Sequence, residues 1–139
     1  MILLDTNVLS ALTDRSPEPS VVGWLDRQPR LSIWTTAVTV FELKLGLLLL
    51  PIGKRRTNLT AAIDVVLHKK IEGRIAVLDG TSAERTAELM AARRAKGKLV
   101  DFRDSMIAGI AMASHATIAT RNVTDFEDLP VRVVNPWNA

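Results

Sequence analysis

Apolar residues fall along this chain in two alternating styles, short solid runs and longer stretches spaced at the helical period. The first run, Ile2-Leu3-Leu4, is ended by Asp5 and fits a strand buried on both faces. Thr6 or Asn7 is placed to cap a short helix through about Leu12. A second helix opens at Glu18-Pro19-Ser20, carries Val21, Val22, Trp24 and Leu25 toward one side, and is closed by Pro29. Leu31 to Thr35 reads as a second strand. The stretch from about Val40 to Leu50 is apolar nearly all round, which predicts a helix in the core or in a subunit interface, and Pro51-Ile52-Gly53 breaks it.

Arg56 to Lys70 has the pattern of an amphipathic helix, and Arg74 to Leu78 that of a third strand. Thr81-Ser82-Ala83-Glu84 has the capping-box spacing for a helix that runs to about Lys96 and stops at Gly97. Asp101 to Ser114 forms a further helix with Met106, Ile107, Ile110 and Ala111 on its apolar side. Ala116 to Ala119 and Val131 to Val134 complete the set as fourth and fifth strands. Strands alternating with helices predict an α/β fold: a parallel sheet of about four to five strands with helices on both faces. With no repeat, linker or low-complexity stretch, residues 1–139 read as a single domain. Ligands of such sheets sit beyond the carboxyl ends of the strands, so acids found there are candidates for function.

Composition narrows the chemistry. The chain has no cysteine and only His68 and His115, which excludes disulfides, thiolate zinc sites and multi-histidine metal sites. It has no tyrosine, three tryptophans and three phenylalanines, too few for an extended base-stacking platform. Trp24 and Trp34 read as packing residues and Trp137 as an anchor for the last segment. Leu45 to Leu50 is far shorter than the ~20 apolar residues of a membrane span, and the first residues lack a basic signal region. A soluble, cytoplasmic protein without membrane contact is expected. The formal charge of +3 is mild, but basic residues cluster at Lys54-Arg55-Arg56, His68-Lys69-Lys70 and Arg93-Arg94-Ala95-Lys96-Gly97-Lys98. These clusters suit either phosphate contact or an ordinary solvated surface.

Three acids meet the positional test. Asp5 follows the first strand, Glu42 falls in the first turn of the helix after the second strand, and Asp104 falls in the first turn of the helix leading to the fourth. Taken singly, each acid also reads as a helix cap, the commoner role for such a residue. Asp5 can cap its helix, Thr39-Val40-Phe41-Glu42 has capping-box spacing, and Asp101-Phe102-Arg103-Asp104 imitates it. Caps need no convergence, whereas three acids delivered to one sheet edge repel one another and invite a divalent cation. Hard oxygen donors without thiolate select Mg²⁺ or Mn²⁺. Such an ion serves phosphodiester hydrolysis by neutralising developing charge and activating water.

These same segments resemble the PIN-domain family, specifically the VapC/FitB-type toxins of bacterial type II toxin–antitoxin pairs. The resemblance lies in Ile2-Leu-Leu-Asp-Thr-Asn-Val8, Thr39-Val-Phe-Glu-Leu43 and Asp101-Phe-Arg-Asp-Ser-Met-Ile-Ala108. Further blocks are Ala119-Thr-Arg-Asn-Val-Thr-Asp-Phe126 and Val134-Asn-Pro-Trp137. Asp-Thr-Asn alone is weak; the ordered set spans the chain and is specific. The resemblance implies a PIN-like sheet, an endoribonuclease dependent on Mg²⁺ or Mn²⁺, an RNA substrate, a homodimer and a small antitoxin partner. It maps the catalytic and metal-holding acids to Asp5, Glu42 and Asp104, with Asp101 left as a cap. Many relatives carry a fourth acid where this chain has Asn122; Asp125, three residues on, is the candidate to compensate. Thr6, Asn7 and Thr120 are candidate supporting hydrogen-bonders, and Arg121 a candidate contact to substrate phosphate.

Other functions remain to be separated. Asn122 keeps alive a catalytically weak or inactive binding module that partners a DNA-binding antitoxin. A DNA nuclease with the same metal chemistry is a third reading. The Leu45–Leu50 run serves the core, a dimer interface or a groove for an antitoxin helix. No Ser-His-Asp arrangement, Walker loop or Gly-x-Gly-x-x-Gly is present, and Asn7 stands where an aspartyl-phosphate phosphatase needs a second Asp.

Overall fold

A computed structural model describes residues 1–139. Five strands form one sheet: β1 (Ile2–Leu4), β2 (Ile33–Thr36), β3 (Ile75–Ala76), β4 (Thr117–Ala119) and β5 (Val133–Val134). Their order is β3-β2-β1-β4-β5, and every pairing is parallel. The expected α/β architecture is therefore present, with β1 at the centre. The outer strands are shorter than the apolar runs that predict them, because only the residues facing a neighbouring strand continue the ladder.

Six helices cover the sheet: α1 (Thr6–Leu12), α2 (Pro19–Asp26), α3 (Ala37–Leu49), α4 (Lys54–Val65), α5 (Gly80–Ala95) and α6 (Phe102–Ser114). A wider, π-type turn over Val66–Lys70 extends α4. The two-residue period of β1 divides the core. Leu4 faces one cluster with Val8, Trp24, Leu43, Leu47 and Ile63, while Leu3 faces another with Ile107, Ile110, Ile118 and Phe126. Helices therefore pack on both faces, as a parallel sheet requires.

Several caps differ from the sequence reading. Asp5, not Thr6 or Asn7, caps α1 by accepting from the Thr6 amide at 2.8 Å. Helix α3 begins at Ala37, and its cap is Thr36, whose hydroxyl accepts from the Thr39 amide at 3.1 Å. Glu42 consequently lies in the second turn, not the first, and has no part in a capping box. Helix α5 is capped by Asp79, which accepts from the Ser82 amide; the Thr81/Glu84 box does not form. In each case an earlier polar residue takes the free amides first. Asp101 caps α6, as expected, and Gly97 ends α5 with φ of +69°.

Helices α5 and α6 approach unusually closely at Gly109. A Cβ there would stand 1.9 Å from Thr86 Oγ1 and 2.6 Å from the Ser82 carbonyl oxygen. Gly109→Ala must separate the helices, and is expected to cost about 2 kcal/mol or more and lower the melting temperature by several degrees. Thermal unfolding followed by circular dichroism measures this; an unchanged melting temperature contradicts the close packing.

Candidate active site

The register of the central strands builds the site. Leu4 pairs with Ala119, and the Asp5 amide continues the ladder by donating to the Ala119 carbonyl at 2.9 Å. Asp5 and Thr120 thereby emerge side by side at the carboxyl edge. Asp5 is only 5% exposed. Its carboxylate accepts from the Thr120 hydroxyl at 2.7 Å, from the Thr6 amide at 2.8 Å and from the Asn7 side-chain amide at 3.3 Å. Asn7 also donates to Thr120 Oγ1 and accepts from the Arg121 amide at 3.1 Å, while the Asn122 amide donates to Thr120 Oγ1. Burial raises the Asp5 carboxyl above its ordinary range even against these donors, and Asp125 adds repulsion.

Glu42 reaches the same space from α3. Thr6 Oγ1 donates to its Oε1 at 3.1 Å, and Arg103 Nη1 lies 3.9 Å from its Oε2. Burial raises its carboxyl; Thr6 and Arg103 oppose that, and Asp5 and Asp101 add to it. Asp104, in the first turn of α6, is pushed up to about 6, first by burial and then by repulsion from Asp5, Asp125, Glu42 and Asp101. The three expected acids thus share one field. Asp125 joins them, whereas Asn122 is exposed and contributes only its backbone amide.

Two arginines of this region escape local sequence patterns. Arg103 pairs with Asp101 at 3.0 Å and extends toward Glu42, placing a cation at the rim of the acids. Arg93 was grouped with candidate phosphate contacts, but it is 3% exposed. It donates to both carboxylate oxygens of Asp128 at 2.9 and 2.8 Å, to Ser105 Oγ at 2.9 Å and to the Asp125 carbonyl at 2.6 Å. It holds Asp128 down at about 2 and ties the Asp125 loop to the residue following Asp104. Lys98 also pairs with Asp128, at 3.4 Å. Lys69 and Lys70 line a cavity with Ile33, at the opposite edge of the sheet from the acids. Lys54 and Arg55, in contrast, line a groove of about 930 Å³ that includes Thr6 and Glu42.

The donor set suits a hard divalent cation, with one qualification of geometry. No three acidic or histidine side chains are drawn together closely enough to enclose an ion by themselves. Mg²⁺ keeps several waters and is commonly held directly by one or two carboxylates. Mutual repulsion among Asp5, Glu42, Asp104 and Asp125 is what such an ion would relieve, so the residues present fit it.

The chain matches known proteins along nearly its whole length. The PIN domain family model matches residues 2–131. The chain belongs to the PIN-domain family. Plasmid stability protein StbB of Pseudomonas syringae pv. tomato is 40% identical over 139 residues, covering 100% of both chains. VapC ribonuclease Y4jK of Sinorhizobium fredii is 36% identical, covering 99% of this chain and 98% of its own. Toxin FitB of Neisseria gonorrhoeae is 36% identical, covering 99% of each. The crystal structure of FitAcB from Neisseria gonorrhoeae superposes with a TM-score of 0.88 at 35% identity, covering all of both chains. The PIN-like sheet and the resemblance to VapC/FitB-type toxins are thus established for this chain.

The raised Asp104 carboxyl has a stability consequence. The folded protein retains a proton that the unfolded chain releases near pH 4, so its contribution to stability declines as pH rises from about 4 to about 6. Asp104→Asn removes that decline. With half-exposure discounted, it is expected to raise stability at pH 7 by about 1 kcal/mol without added metal. Melting temperatures of both proteins across pH 4–7 in chelator test this; parallel profiles contradict it.

Proposed function

We propose that this PIN-domain chain is a metal-dependent endoribonuclease, a hydrolase acting as the toxin of a toxin–antitoxin pair. The observation that carries this is the set of mutually repelling, partly buried carboxylates at the sheet's carboxyl edge. Its relatives named ribonuclease and toxin support the substrate class and role. In this reading residues 1–139 act as one domain in the cytoplasm. Asp5 and Asp104 would hold Mg²⁺ or Mn²⁺, with Glu42 as a further holder or as the base for the attacking water, and Asp125 as the candidate fourth acid. When bound, the cation supplies charge neutralisation at the phosphodiester and a more acidic water.

The chain's own groups do the rest. Thr120 and Asn7 orient Asp5, and Thr6 fixes the Glu42 carboxylate. Burial makes Glu42 a stronger base, suited to accept the proton of the attacking water. Arg121, exposed beside Asn7, is placed to meet RNA phosphate.

The same reading includes an antitoxin partner and a homodimer. The groove lined by Leu43, Leu47, Leu59, Lys54 and Arg55 beside Glu42 is suited to a partner segment that covers the acids. Helix α3 leaves Phe41, Leu48 and Leu49 exposed at 54%, 65% and 76%, a continuous apolar surface suited to a second copy.

Purified protein with Mn²⁺ is expected to cleave single-stranded RNA, and excess chelator to abolish cleavage. Asp5→Asn and Asp104→Asn should each lower kcat/KM by about a thousandfold, equivalent to several kcal/mol of lost charge stabilisation. Thr120→Val should cost roughly 10- to 100-fold by releasing Asp5. Undiminished cleavage in either aspartate variant refutes the assignment. Separately, Leu48→Glu with Leu49→Glu should yield a monomer by sedimentation velocity, whereas the unaltered chain sediments as a dimer.

A further inference from the structure

Beside the acids lies a second, chemically different cavity. It encloses about 410 Å³ and is lined by Asn7, Asp14, Ser16, Glu18, Arg121 and Trp137, with Ala11. The Arg121 guanidinium carbon stands 4.9 Å from the centre of the Trp137 ring. Trp137 is partly buried against the larger core cluster, which includes Trp24 and Leu25, and its amide donates to Asn135 Oδ1 at 3.0 Å. Arg27 also ties the following Ala139 carbonyl at 3.3 Å. The indole thus presents a partly buried plane with a planar cation lying over it.

This cavity is joined to the acids by two hydrogen bonds through one side chain. The Arg121 amide donates to Asn7 Oδ1 at 3.1 Å, and Asn7 Nδ2 donates to Asp5 Oδ2 at 3.3 Å. A polymer lying across Asp5 thus passes beside the Arg121–Trp137 pair. Planar guanidinium and indole groups are the surfaces on which unstacked RNA bases rest. The scarcity of aromatic residues argues against an extended stacking platform, but one ring and one guanidinium suffice for a single base.

The remaining lining selects among bases. Asp14 and Glu18 are exposed carboxylates, and neither is paired with a cation. Ionised carboxylates only accept hydrogen bonds. They favour a base edge that presents neighbouring N–H donors and disfavour one that presents carbonyl oxygens. Guanine alone places an imino N–H beside an amino group on its Watson–Crick edge. We infer that the Arg121–Trp137 cavity is a subsite for one unpaired guanine adjacent to the scissile phosphate of an RNA strand. The inference rests on the proposed ribonuclease reading for its polymer, while its base preference rests on this cavity alone.

The test is a binding experiment in chelator, where cleavage does not interfere. A fluorescently labelled nine-nucleotide RNA with one guanine is titrated by anisotropy, beside the same RNA with an abasic ribose, inosine or adenine at that position. The unaltered protein is expected to bind the guanine RNA roughly tenfold more tightly than the abasic one, with inosine between them. Arg121→Ala should bind both alike, and Trp137→Phe should keep the fold and part of the difference. Asp14→Asn with Glu18→Gln should preserve the advantage over abasic RNA and lose the preference for guanine over adenine. Equal binding of guanine and abasic RNA by the unaltered protein overturns the inference, as does a full difference in Arg121→Ala. Cleavage with Mn²⁺, measured separately, distinguishes the two ideas: cleavage without base dependence removes the subsite only, and base-dependent binding without cleavage removes the nuclease only.

Discussion

The hydrogen bond from the Asp5 amide to the Ala119 carbonyl extends the pairing of β1 and β4 by one residue beyond the strands. Nearly everything at the site follows from that extension. It sets Thr120 against the Asp5 carboxylate, brings Asn7 between them, and turns α1 away from the sheet with Asp5 as its cap. A slip of one residue in this register would exchange the two core faces and send Thr120 away from Asp5. The hydrophobic division of Leu3 from Leu4 therefore protects the chemistry as well as the core.

Around that fixed carboxylate the protein tolerates electrostatic strain. Burial and like charge oppose ionisation at Asp5, Glu42 and Asp104. Neutral donors from Thr120, Thr6 and Asn7 offset part of this, and Arg103 adds a cation at the rim, 3.9 Å from Glu42. Rigid surroundings keep the acids from drifting apart. Gly109 lets α6 press against α5, and the buried Arg93 guanidinium joins α5, Ser105 and the Asp125 loop. Arg93 is buried while Asp128 reaches solvent, so removing Asp128 would leave a buried guanidinium without its carboxylate, and the pair ties that loop to the scaffold.

Much of this was legible in the sequence, and the exceptions share a cause. The five strands, six helices and the positions of Asp5 and Asp104 follow from local patterns of burial and capping. Glu42 was read one turn too early because Thr39 imitates a cap, while Thr36, three residues before it, forms the real one. Asp79 displaced Thr81 in the same way. Arg93 looked like surface charge because its partner lies 35 residues away, and no local pattern records such a pairing. The Arg121–Trp137 contact is equally invisible until the chain ends meet near α1.

The sheet order also bears on the protein's birth. Its first strand is its central one, and β4 reaches it only after more than a hundred intervening residues. A chain emerging from the ribosome amino end first can pair β1 with β2 early, but Asp5 must wait for Asp104 and Thr120. Until then the leading carboxylate has neither its hydroxyl partner nor its companion acids. For a protein whose proposed target is RNA, this topology keeps the site incomplete until Asp104 and Thr120 have both been made and β4 has paired with β1.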